Sequence, residues 1–422
     1  MRWTLTSPDG IGDFLLRLPW LREMEHRGWK LQLLARDPTL EAARLFGLGG
    51  EFVPLGLSPY SKKAKERRDV FAEELELVRK FNPDLVFLGP AQPSMLEEYA
   101  SESLSDFRLA GFVLDSAFWP SECVADPREI AGRFATSVPI RDEDSEPLRN
   151  SRAAEVLLGG TVHLPACRLD SGALDRLPDT ANGLASGSFL VMSPGYREGD
   201  YFQGFGVENW VRELRDLEAR TALPFVFVGS AAEQGSNARI FSQLREVGRH
   251  RDLTGKISTL GELAALLNGA KAYVGKDSGA MHLAAALQKP VVAVFGGGHG
   301  RRFYPTGTSG VVLTVDVPCR GCDWRCHLDE PLCVRDLSGG SIGRAWEALE
   351  GLASGEILVW EQLPSDAAWR ALEEKPQGSF PQIAHEKRKA ELRCHRDGAD
   401  VSWSMRLRKK LARKIDQIRL AR

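Results

Sequence analysis

The sequence predicts an α/β protein with two doubly wound parallel sheets, one in each of two domains. Three observations predict this class. Apolar runs of strand length alternate with leucines and alanines at helical spacing, from the N-terminus to about residue 90 and again from about 188 to 296. In each half a glycine-bearing turn closes a strand and opens a helix, at SPDGIGD (7–13) and at KDSGAMH (276–282). Between the halves lies a stretch rich in Gly, Asp, Ser and Pro, RLDSGALDRLPDTANGLASG (168–187), which reads as the linker.

The chain has 422 residues, enough for two domains with sizeable cores. With 43% hydrophobic and 27% charged residues it reads as a soluble globular protein. A net charge of −2 predicts no general affinity for nucleic acid. No apolar run approaches the roughly 20 residues of a membrane span. The N-terminus passes straight into WTLTSP without the basic, apolar and small-residue order of a signal peptide. The expected location is the cytoplasm.

In the first half, residues 3–7 make a strand, and FLLRLPWLREM a helix with Pro19 as a kink. KLQLLAR (30–36) is a second strand, 38–46 a helix and EFVPLG a third strand. Residues 60–81 read as one long charged helix whose lysines and arginines form a solvated face or, alternatively, contact an anionic acceptor. PDLVFLGP and FRLAGFVL are strands, and Trp119-Pro120 sits in a loop; otherwise 91–165 is ambiguous. In the second half FLVMSPG, PFVFVGS, KAYVGK and VVAVFG are strands. Helices are expected over 208–220, 236–248, 259–268, from Ser278-Gly279 to Pro290, and over 341–353.

The two turns carry the candidate chemistry. A helix N-terminus presents free N–H groups and partial positive charge, which suit a phosphate. Ser278, Gly279 and His282 stand at one such start, and Asp277 precedes it, better suited to a sugar hydroxyl than to an anion. Asp277 or Ser278 can equally be a plain helix cap. Ser193-Pro194-Gly195 is a similar strand-end turn. In the first half Asp13 stands where a carboxylate could take the proton of an attacking hydroxyl, with Asp9 as a nearby alternative. The turn lacks the full G-x-G-x-x-G and any P-loop lysine.

The run DSGAMHLAAALQKPVVAVFG (277–296), the upstream LTGKISTLGELAALL (253–267) and the GIGD-x-x-x-x-LP arrangement at 10–19 resemble family 9 glycosyltransferases, the ADP-heptose:lipopolysaccharide heptosyltransferase group. The resemblance is densest over 225–300, thin over about 90–185 and absent after about 355. It implies a GT-B-like architecture, two Rossmann-like domains facing a cleft, with an acceptor-side domain at 1–175 and a nucleotide-sugar domain at 176–355. It implies inverting transfer of a heptose from ADP-heptose to a hydroxyl of a lipopolysaccharide core or related envelope glycan. Asp13 would be the base. Ser278, Gly279 and His282 would hold the diphosphate, with Ser193 and Gly195 beside it, and Glu233 and Asp277 the ribose. A family lysine that neutralises the diphosphate has Gln203 at its place; Arg197, Lys276 or Lys256 would have to supply that cation. Arg301 and Arg302 lie in a glycine-rich loop and either hold the diphosphate or are solvated. No catalytic metal is implied. Two other readings stay open: the same fold with another donor or a protein acceptor, and a non-catalytic sugar-nucleotide-binding assembly protein.

Cys319-x-x-Cys322-x-x-x-Cys326-x6-Cys333 places four cysteines within fifteen residues. Their spacing suits four thiolates on one structural zinc or iron, without an open catalytic position. Residues 356–422 read as an extension ending in a basic helix, with Leu407, Leu411, Ile415 and Ile418 on one face. That face suits either the anionic inner face of the inner membrane or packing on the protein itself or a second subunit.

Overall fold

The structure is a computed structural model that describes residues 1–66, 68–115, 124, 126–170, 174, 183–299, 301–319, 326, 328 and 330–374. The first half contains strands β1 (Arg2–Ser7), β2 (Lys30–Ala35), β3 (Glu51–Pro54), β4 (Leu85–Leu88), β5 (Leu109–Leu114) and β6 (Thr136–Ile140). They form one sheet in the order β3-β2-β1-β4-β5-β6, with every neighbour parallel. Its helices are α1 (Ile11–His26), α2 (Asp37–Leu45), α3 (Lys62–Glu66), α4 (Ala72–Phe81), α5 (Met95–Ser103), α6 (Pro127–Ala131) and α7 (Glu146–Leu158).

The second half contains β7 (Leu190–Ser193), β8 (Phe225–Phe227), β9 (Arg251–Asp252), β10 (Ala272–Lys276), β11 (Val291–Val294), β12 (Gly310–Val315) and β13 (Ile357–Gln362). They pair in the order β13-β12-β11-β10-β7-β8-β9, again all parallel. Its helices are α8 (Gly206–Arg220), α9 (Gln234–Phe241), α10 (Leu260–Gly269), α11 (Gly279–Ala286), α12 (Leu332–Arg335), α13 (Ser341–Leu349) and α14 (Asp366–Glu374). Strands β10, β11 and β12 are buried along their whole length, as parallel strands covered on both faces must be.

Strand order reverses at β1/β4 in one sheet and at β7/β10 in the other. Ligands of open α/β sheets bind beyond the carboxyl ends of strands at such points. The turns after β1 and β10, which hold Asp13 and Asp277, are therefore brought to two switch points. Helix α1 is fixed on its sheet by a chain of rings: Trp3–Trp20 at 5.4 Å, Trp20–Phe87 at 5.0 Å and Phe87–Phe112 at 5.3 Å. Pro19 lies inside α1, and beside it Asn150 of α7 donates to the Leu16 carbonyl at 3.1 Å. One core cluster includes side chains of both sheets together with Leu15 of α1 and Met281 of α11, so the two halves share apolar packing.

Several expectations change. The single helix over 60–81 is two helices, α3 and α4, with a 3-10 turn at Arg68–Phe71 between them. Like charges at i,i+3 and i,i+4 spacing, from Lys62 to Arg68, disfavour one continuous helix. The helix over 236–248 ends at Phe241. Glu218 of α8 accepts from the Arg245 and Glu246 N–H groups at 3.0 and 2.8 Å, which takes that backbone out of the helical ladder. The second domain does not close before 356. Strand β13 pairs with β12 from Gly310↔Ile357 to Val315↔Gln362, and α14 beyond it buries Trp369 and Leu372. Only an edge strand can be as half-exposed as β13, and without its partner β12 in view it reads as tail. The 175/176 boundary, Trp119-Pro120 and the basic helix of the tail lie outside the described residues. Among the described residues no helix is long and apolar enough to cross a membrane.

Candidate active site

Helices α1 and α11 meet tip to tip, and glycine makes the meeting possible. A Cβ on Gly12 would stand 2.7 Å from Cδ2 of His282, and one on Gly279 would stand 3.2 Å from Cβ of Ile11. Beside this junction opens a cleft of about 440 Å³. The second domain lines most of it, with Ser193, Ser230, Glu233, Ser278 and Gly279 on the polar side and Val228, Ile257, Leu260 and Leu263 as apolar walls. The first domain adds Ile11, Pro38 and Glu41.

Ser278 is the N-cap of α11; its Oγ accepts from the Met281 N–H at 3.4 Å and lies 3.0 Å from the Tyr273 hydroxyl, which donates to the Lys276 carbonyl. The capping expectation therefore holds for Ser278. The amides of Gly279 and Ala280 have no partner among the described residues, and both residues line the cleft. Two free N–H groups at the positive end of a helix form an anion site.

Asp13 and Asp277 are each half-buried at the junction. Burial pushes the Asp13 carboxyl up to about 7, Asp9 and Glu146 push the same way, and Arg302 and Arg17 oppose them. Burial likewise pushes Asp277 up to about 7, with Asp13 adding to the rise and Lys276 opposing it. Burial and neighbouring carboxylates raise both groups, so this junction can hold a proton near neutral pH. His282 is buried, and burial drives it down to about 4. Its Nε2 lies 3.9 Å from Oδ1 of Asp277. The ring expected beside the diphosphate is thus neutral and packed on Gly12, able to donate one N–H and no charge.

Glu233 uses both oxygens inside the protein. Oε1 lies 2.8 Å from Nζ of Lys276, and Oε2 accepts from the Ser230 N–H and Oγ at 2.7 and 2.9 Å. A carboxylate has lone pairs to spare, so ribose hydroxyls can still bond to it. Lys276 is also held by the Gly195 carbonyl and by Asp200 at 3.5 Å. Lysine at this point holds Glu233 below the usual carboxylate range although burial works against it. Of the three cations considered in place of the family lysine, Arg197 is exposed and lines no part of the cleft, and Lys256 donates outward to the Asp252 carbonyl. Lys276 alone of these is buried behind the cleft wall. Gln203 accepts from the Gly199 N–H and pins its own loop. Gly195 is small for packing: a Cβ there would stand 2.7 Å from Oδ1 of Asn237.

Arg301 and Arg302 do not act as a pair. Arg301 is exposed and bridges to Glu361 at 2.9 Å. Arg302 turns the other way, across to α7 of the first domain, where its Nε lies 2.7 Å from Oε2 of Glu146. The Glu146 N–H also donates to the Arg302 carbonyl at 2.9 Å. Glu146 lies 3.8 Å from buried Arg17, which holds Ser7, Asp9 and the Gly89 carbonyl. Tyr60 donates to the other oxygen of Asp9 at 2.8 Å. Glu146, Arg17, Tyr60 and Glu41 were not singled out from the sequence. Ser145-Glu146-Pro147 is a legible helix start, but nothing local shows that it faces a residue over a hundred positions away.

Of the cysteines, Cys319 and Cys333 are buried and Cys326 is exposed; Cys322 lies outside the described residues. Among the described residues no group of three or more His, Cys, Asp or Glu is arranged as a metal site.

Residues 202–329 match the family model of glycosyltransferase family 9 (heptosyltransferase). The chain carries a family 9 glycosyltransferase domain. That domain contains Glu233, Asp277, Ser278, Gly279, His282 and Arg302; Asp13 stands outside the matched span. The whole fold is that of GT-B heptosyltransferases. The ADP-heptose lipopolysaccharide heptosyltransferase II of E. coli superposes with a TM-score of 0.60 at 17% identity, over 83% of this chain and 98% of that one. A family 9 glycosyl transferase from Veillonella parvula gives 0.63 at 15% identity, over 82% and 96%. The E. coli heptosyltransferase WaaC, solved with ADP-2-deoxy-2-fluoro heptose, gives 0.57 at 18%, over 84% and 100%. A comparison with curated protein sequences finds no match. At these identities the structural likeness speaks for the fold alone, and the chemistry has to be argued from the chain's own residues.

Proposed function

We propose that the protein is an inverting glycosyltransferase that moves a heptose from ADP-heptose to a hydroxyl of an envelope glycan. The observation that carries this reading is the junction itself: within a GT-B fold, Asp13 follows Ile11 and Gly12, which pack on Gly279 and His282, and Ile11 lines the cleft together with the free Gly279 and Ala280 amides. The acceptor hydroxyl gives its proton to Asp13 as its oxygen attacks the anomeric carbon. The bond from that carbon to the donor phosphate breaks, and the electron pair leaves with the nucleoside diphosphate. The α11 amides and helix dipole stabilise the growing charge on the diphosphate. A single displacement from the opposite face inverts the anomeric configuration. Glu233 and Asp277 accept from sugar hydroxyls beside the cleft. The test is a product assay with calorimetric donor binding, comparing ADP-heptose with UDP- and GDP-sugars over envelope glycan acceptors. Selective binding and turnover of the ADP donor is the expected result. Selective turnover of another donor, or no donor binding, would overturn it.

The four cysteines would hold one structural zinc or iron through thiolates. Cys319 and Cys333 belong to one core cluster of the second domain, which fits a site that braces packing. A metal there would tie the segment after β12 to that core and take no part in the transfer. Elemental analysis of the purified protein should find about one zinc or iron per chain, lost in Cys322→Ser. A protein that folds fully without metal would remove the assignment.

A further inference from the structure

The first domain puts one carboxylate, Glu41, into the cleft that the proposed function assigns to a nucleotide. Glu41 of α2 reaches across the domain boundary and accepts from the Leu260 N–H, the first residue of α10, at 2.6 Å. Glu41 and its neighbour Pro38 line the cleft next to Ile257, Ser258 and Thr259. Helix α10 does not depend on Glu41 for a cap: Thr259 accepts from the Glu262 N–H at 3.1 Å, and Glu262 accepts from the Ser258 N–H at 2.7 Å. The Leu260 bond engages one oxygen, and the second has no partner among the described residues.

The cleft lining thus offers two kinds of surface. Gly279 and Ala280 offer N–H groups to an anion. A carboxylate repels phosphate, so Glu41 suits the base rather than the diphosphate; it bonds to Leu260, which with Val228, Ile257 and Leu263 supplies apolar walls suited to the flat faces of a base. A carboxylate accepts hydrogen bonds and donates none. A base edge that presents an exocyclic amine satisfies it; an edge that presents a carbonyl oxygen sets lone pair against lone pair.

We infer that Glu41 is a specificity residue of the nucleotide site, a first-domain carboxylate that selects a donor whose base carries an exocyclic amine. The inference rests on the proposed function, since it takes the cleft to be a nucleotide site. It also makes the base slot a product of both domains. Donor selection would then require the two halves to be together, as the cross-domain bonds at Glu41 and at Glu146–Arg302 hold them.

Glu41→Gln tests it on the full chain. Glutamine keeps an oxygen for the Leu260 N–H and replaces the second oxygen by an N–H₂, so the fold is retained while the polarity facing the base is reversed. Calorimetric titration with ADP, and with IDP, in which a carbonyl replaces the adenine amine, reads the outcome. In the wild type ADP should bind about ten- to a hundredfold more tightly than IDP, the worth of one hydrogen bond to a charged group. In Glu41→Gln that ratio should fall at least about tenfold, with IDP gaining and ADP losing. A ratio unchanged by the substitution would show Glu41 to be only a strut between domains and overturn the inference while leaving the nucleotide site in place. Failure of both diphosphates to bind the folded wild-type protein would overturn the underlying reading as well.

Discussion

Asp13→Asn should lower turnover by about 10²- to 10⁴-fold while donor binding stays near wild type, because it removes the carboxyl proposed to take the acceptor proton and leaves the α11 amides intact. Rates from a product assay and affinities from calorimetry, set side by side, separate the two effects. The wild-type pH profile should carry the same signature. With Asp13 pushed up to about 7, the carboxyl is protonated below that pH and cannot accept a proton. The rate should therefore fall about tenfold for each unit below pH 7 and level off above it. Its neighbours give the sign a second check. Glu146 raises Asp13, so Glu146→Gln should move the acid limb to lower pH; Arg302 lowers it, so Arg302→Gln should move the limb to higher pH. A merely structural role for the Glu146–Arg302 bridge predicts no such opposite displacements. If Asp13→Asn retains turnover within about threefold, the base is another group. Asp277, also raised and on the opposite helix tip, would be the first to examine.

Lys276→Met should cost about 3 kcal/mol or more of stability, because it strands buried charge. The ammonium of Lys276 is shared among Glu233, Asp200 and the Gly195 carbonyl, and its side chain is only 6% exposed. Without it the Glu233 carboxyl, held low by this lysine, should rise, and the ion would face the donor diphosphate with no counter-charge. Donor affinity should drop along with stability. Urea denaturation measures the first effect and ADP titration the second. Replacing Glu233 by Gln in the same chain should recover much of the lost stability, because the stranded carboxylate is the main cost. A Lys276→Met protein as stable as the wild type would show that this cluster is solvated in a way its burial contradicts.

The sequence reads well wherever one element carries its own signal. Strand β10, the turn at Asp277 and Ser278, and helix α11 lie within fifteen consecutive residues; Lys276 and Ser278 mark the strand end and helix start, while α11 stops at Ala286, short of the expected Pro290, and Gln288 turns the chain at φ 59°. Period, cap and breaker are local properties, so no knowledge of the rest of the chain is needed to place them. Asp13 is legible in the same manner, at the start of a helix that follows a strand. The half-exposed strand β13 was missed because it carries no strong pattern alone, and only pairing with β12 across more than forty residues makes it part of the sheet; β12 itself is an apolar run of strand length.

By itself the sequence determined two parallel α/β halves, the turns that end their strands, and the acid and amide groups those turns carry. These follow from spacing, glycine and proline over a few residues. Only the tertiary structure decided what each group is. It made His282 neutral by burying it against Gly12, and it used Lys276 to hold Glu233 rather than leaving it open to the cleft. It turned Arg302 away from Arg301 and toward Glu146, and it brought Glu41 from the first domain into the cleft of the second. Burial and charge proximity depend on residues far apart in the chain. The ionisation of a side chain, and therefore its role, is settled when the two domains meet.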